Sequence, residues 1–165
     1  MRSFVTALCL CVSMPAPAWA QTAPSPPWNC TGTYKLAQLQ PSNPSYQDAL
    51  ALFLTLNDRG IFSDCVAMSK SDRLLKGQHG AAVFHTDQGL FDALFFPTRQ
   101  QVQEIRIAEQ QKGDSYTHTL STPLPHFTRT WSNHFPMYYV KHENVLLMIF
   151  KDEDLARVLR DTLGP

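Results

Sequence analysis

The chain predicts an α+β domain in which one antiparallel sheet of three successive hairpins carries an N-terminal and a C-terminal helix, pinned by one disulfide. Three observations carry that prediction. Apolar residues recur at helical spacing over 46–57 and again over 155–163. Between those stretches lie three pairs of strand-like runs, each joined across a short polar turn. Beyond the N-terminal region only two cysteines remain, Cys30 and Cys65.

At the N-terminus, Arg2, an apolar run over 4–14, then Pro15, Pro17 and the small-residue pattern Ala18-Trp19-Ala20 follow the order of a secretory signal peptide. The run breaks at Pro15, well short of the roughly 20 residues a helix needs to cross a bilayer. No membrane anchor is expected after cleavage. The reading is therefore a signal peptide over 1–20, a flexible Pro-rich lead-in over 21–29 and a single globular domain over 30–165. A periplasmic or secreted location follows, and thiols oxidise there. Cys30 and Cys65 are the natural pair, worth roughly 3 to 4 kcal/mol if the closed loop costs the unfolded chain its usual entropy.

The first helix is predicted from Ser45 as N-cap, with Asp48 three residues on. Tyr46, Ala49, Leu50, Phe53 and Leu54 give it one apolar face, and Gly60 supplies a left-handed stop. The hairpins are predicted at 81–86 with 90–96, at 102–109 with 115–121, and at 137–140 with 145–150. In 115–120, Tyr116, His118 and Leu120 share one face and Ser115, Thr117 and Thr119 the other. The run 145–150 is apolar on both faces, which places it in the centre of the sheet or beneath a helix. Asp152, Glu153 and Asp154 open the last helix at the positive end of its dipole, with Arg157 and Arg160 towards the negative end.

Several chemistries find no pattern to support them. The 14 Lys+Arg balance 14 Asp+Glu in the full chain, and loss of Arg2 with the signal leaves about one negative charge. That is no footprint for nucleic acid. The six histidines, His79, His85, His118, His126, His134 and His142, lack the three- or four-residue interval of helical ligand pairs, and no metal or cofactor site is assigned. There is no Gly-x-Ser-x-Gly elbow, and a Cys65 nucleophile loses to the disulfide, so no catalytic residue is assigned either.

The most suggestive surface is the Pro-framed segment 124–136, read as a connecting loop that offers His126, Phe127, Arg129, Trp131, Asn133 and His134 for binding. Its competing role is to cover the core with Phe127, Trp131 and Phe135. The expectation is an exported protein that works by binding another macromolecule, a protein partner in the cell envelope, as an inhibitor, immunity-type or accessory factor. The rivals are a small-ligand carrier and a hydrolase using His118, His126 and His134. A hydrolase needs those histidines convergent in a pocket, whereas a binder needs an apolar patch or an open strand edge.

Overall fold

The computed structural model describes residues 25–31, 36–123 and 126–164. Residues 1–20, read as a signal peptide, residues 21–24 of the lead-in, and Leu124 and Pro125 of the Pro-framed segment lie outside the described residues. The fold is α+β, with three helices and two antiparallel sheets.

Helix α1 (Tyr46–Asp58) follows Ser45, which holds the N-cap position but makes no side-chain capping bond. Its own amide is held instead by Asn43 Oδ1 at 2.9 Å. The Ser45 hydroxyl is packed against Gly80: a Cβ built on that glycine would sit 1.5 Å from Ser45 Oγ, so only glycine fits there. Gly60 takes φ 85° and turns the chain, so that Ile61 N–H reaches Leu56 O at 2.9 Å.

Strands β1 (Ser63–Met68), β2 (Gly80–Thr86) and β3 (Gly89–Phe95) form an antiparallel meander. A short helix α2 (Arg99–Glu104) follows, then β4 (Arg106–Lys112), β5 (Ser115–Thr122) and β6 (Phe127–Asn133). Finally β7 (Met137–His142), β8 (Val145–Phe150) and helix α3 (Glu153–Leu163) complete the chain. The three expected hairpins are present as β2–β3, β4–β5 and β7–β8. They are divided between two sheets: sheet A runs β1-β2-β3-β8-β7 and sheet B runs β4-β5-β6.

The alternation along β8 explains this division. Val145, Leu147 and Ile149 belong to the core shared with α1 and α3, while Leu146 and Met148 belong to a second core beneath sheet B and α2. Sheet A is thus covered on both faces, and the molecule has three layers. A strand covered on both faces must be apolar at every position, as this one is.

Four elements depart from expectation, and the first is β1, which belongs to none of the three expected hairpins. The span 102–109, read as one strand, divides into the end of α2 and the start of β4. Thr98 decides it, because its side chain accepts the Gln101 amide and caps a helix turn directly after Pro97. The segment 124–136, read as a loop, contains β6, whose Thr128, Thr130 and Ser132 alternate with Phe127, Arg129, Trp131 and Asn133. The lead-in, drawn as flexible through 29, is packed from Trp28 onward. That ring is buried against Tyr46 and Phe53 with centroids 5.3 Å away in each case, and Asn29 N–H donates to Asp64 O at 3.0 Å. The Cys30–Cys65 disulfide ties this start of the domain to β1, with Cα atoms 4.8 Å apart.

Candidate functional site

The residues singled out in 124–136 are split by the pleat of β6. Phe127, Arg129, Trp131 and Asn133 pair with Thr122, Leu120, His118 and Tyr116 of β5, and so lie on the face of sheet B that turns towards sheet A. Trp131 and Phe127 pack against the second core, and the Trp131 indole N–H donates to Met137 Sδ at 3.3 Å. Arg129 is exposed, and His126 and His134 lie exposed just beyond the two ends of β6. The opposite face of sheet B is a ladder of hydroxyls: Thr117 with Ser132 at 3.0 Å, Thr119 with Thr130 at 3.2 Å, and Ser121 with Thr128 at 3.0 Å.

His118 is fully buried between the sheets. Its Nε2 lies 3.2 Å from Asn133 Oδ1 and 3.3 Å from Phe135 O, and Nδ1 lies 2.9 Å from Glu109 Oε2. Because Asn133 Oδ1 and Phe135 O are acceptors, Nε2 carries a proton. Glu109 Oε2 also accepts the Met137 amide at 3.3 Å. This cluster joins sheet B to the start of β7 as a structural strut, with its imidazole shielded from solvent and its Glu109 carboxylate at the surface. His126 and His134 stand just beyond opposite ends of a seven-residue strand that itself spans roughly 20 Å at the rise of extended chain. The three histidines of the hydrolase reading do not converge, and among the described residues no cluster of three or more metal-ligating side chains occurs.

An open strand edge is found elsewhere. Sheet A ends in β1 on one side and β7 on the other. The β1 edge is occupied: Leu39 N–H donates to Val66 O at 2.9 Å, Met68 N–H to Ala37 O at 2.8 Å and Asn29 N–H to Asp64 O at 3.0 Å. On the β7 edge the register decides which backbone groups face outward. His142 opposes Val145 across the two-residue turn Glu143-Asn144, with Glu143 at φ 46°. That turn makes the closing pair exchange its hydrogen bonds, so Val140 and Tyr138 also bond to β8. Met137, Tyr139 and Lys141 therefore point their amides and carbonyls away from the sheet. The Met137 amide is the one that Glu109 satisfies; those of Tyr139 and Lys141 open into a groove of about 530 Å³.

This groove is walled by Arg99 and Gln103 of α2, floored by Tyr139, Val140 and Lys141 of β7, and closed by Arg160 and Gly164 at the end of α3. Three of the seven lining residues are cationic and none is acidic. Lys141 is held in place because its Nζ donates to Gln103 O at 2.8 Å and Ile105 O at 2.7 Å, the free carbonyls at the end of α2. Burial lowers its pKa. Burial likewise pushes the Tyr139 phenol well up, with the Glu109 carboxylate adding to the effect. Next to the groove, burial lowers the pKa of His142, and Arg59 and Arg99 push the same way against the opposing pull of Glu143. Four cations, Arg59, Arg99, Lys141 and Arg160, stand at this end of the molecule, with the carboxylates of Glu143 and Glu109 acting against them.

Sequence reasoning missed this groove. Arg160 reads as a charge completing a helix dipole and Lys141 as a turn residue, and nothing in their spacing announces that β7 is a sheet edge. No protein-family model, curated protein or solved structure matches the chain.

Proposed function

We propose that this is an exported binding protein, without catalytic activity of its own, that takes up an extended segment of a protein partner along the outer edge of β7. The observation that supports this reading is the pair of outward backbone positions, Tyr139 and Lys141, facing an open groove while the opposite edge of sheet A is already occupied. Strand addition draws affinity from main-chain hydrogen bonds and specificity from the walls on either side. The edge of β4 is a poorer candidate. All seven of its residues are exposed, yet Arg106, Glu109 and Lys112 give it the charge by which edge strands discourage pairing.

The test is capture of partners from cell-envelope extract by the oxidised protein, comparing the native chain with Tyr139→Pro and Arg129→Ala. Proline at 139 removes an outward amide and leaves the β8 ladder intact. A partner retained by Arg129→Ala and lost by a folded Tyr139→Pro is the expected result. Loss with Arg129→Ala and retention with Tyr139→Pro would move the interface to sheet B.

A further inference from the structure

We infer that the segment received by β7 is acidic, with carboxylates placed on both faces of the added strand. This rests on the strand-addition reading and gives the partner its chemistry. Successive side chains of a strand laid along β7 point alternately to the two faces of sheet A. On the face shared with α2 they meet Arg99 and Lys141, and on the face shared with α3 they meet Arg160. Cations therefore stand on both sides of the edge.

Two of these cations are open to a new partner. Arg99 is engaged only through a 3.4 Å contact with Glu143 in which both side chains are more than half exposed, an arrangement that contributes little and exchanges readily. Arg160 has no ion-pair partner among the described residues. Guanidinium groups favour planar, two-pronged bonding to carboxylates. Lys141, fixed by two carbonyls, keeps one N–H to offer and adds its charge from below. The chain as a whole carries equal numbers of basic and acidic residues, so this concentration is local and not the reflection of a basic protein. Desolvation at Lys141 is offset by negative charge arriving in the groove.

Selection of short random peptides displayed against the oxidised protein tests this before any natural partner is identified, followed by calorimetry on synthetic copies of the winners. Winners should carry Asp or Glu on residues of both parities. Their affinity should fall about tenfold or more in an Arg99→Gln, Arg160→Gln double variant, the loss expected for removing charged hydrogen bonds. Both side chains are exposed, and circular dichroism checks that the variant is folded. Copies N-methylated on alternate residues should lose binding, because the added strand then lacks its amides. Winners with no acidic bias, or affinity within about twofold in the double variant, would overturn the acidic partner and leave strand addition standing. Acidic winners whose N-methylated copies bind unchanged would overturn strand addition and leave a plain anion site. Selection that yields no binder would overturn both.

Discussion

Asp92 is a carboxylate on β3 placed on the face of sheet A where its neighbours Leu94 and Met148 serve the second core. Ser69 Oγ and Ser71 Oγ donate to its two oxygens at 2.9 and 3.0 Å, yet burial outweighs them and raises its pKa above 3.8. A raised folded-state pKa contributes stability that is complete below pH 3.8 and is lost as pH rises through the folded value. Asp92→Asn should therefore gain on the native protein in thermal unfolding as pH is raised from about 4 to 7. A native protein that instead gains on the variant would mean that the two serines outweigh burial. His118 gives a second prediction at this scale. His118→Leu leaves Glu109 and Asn133 without their ring partner and should cost about 1 to 3 kcal/mol in urea unfolding. His126→Ala and His134→Ala, at exposed positions, should stay within about 0.5 kcal/mol.

Among the elements, the disulfide and α1 act together. Cys30–Cys65 fixes the residues beside Trp28, whose ring completes the packing of Tyr46 and Phe53 on α1. Cys30→Ser with Cys65→Ser should lose roughly 3 to 4 kcal/mol in denaturant unfolding, and Phe53→Ala about 3 to 5 kcal/mol. Both elements were legible from residues alone, because a cysteine pair and a helical stripe are local signals. The same holds for α3, where Asp152 accepts the Leu155 amide at 2.8 Å as the acidic cluster implies. What escaped were elements decided by competition between local signals. Ile105 and Ile107 stand two apart as in a strand, but Val102 belongs to the helix turn that the Thr98 cap fixes first. Pro125 and Pro136 frame a segment that reads as loop, while its interior alternates polar and apolar residues and pairs with β5. The groove was illegible for a different reason: its cations come from α2, β7 and α3, and only tertiary packing brings them together.

For the whole molecule, the three-layer arrangement answers why one strand, β8, is apolar throughout: sheet A holds a core on each of its two faces. Export is the prediction that belongs here. Mass spectrometry of the protein recovered from its native compartment should give an N-terminus at or near Gln21 and a mass two hydrogens below the reduced chain. Free thiols on the folded protein would contradict the disulfide. Sheet order carries one more consequence, which concerns time. Phe95 of β3 pairs with Val145 of β8, so the whole of sheet B is inserted between two neighbouring strands of sheet A. Until the C-terminal hairpin has arrived, β3 has an unpaired side and Leu94 lacks Leu146. Synthesis from the N-terminus therefore cannot finish this sheet early. Were the chain exported as proposed, sheet A would stay open at β3 until β8 had followed it across.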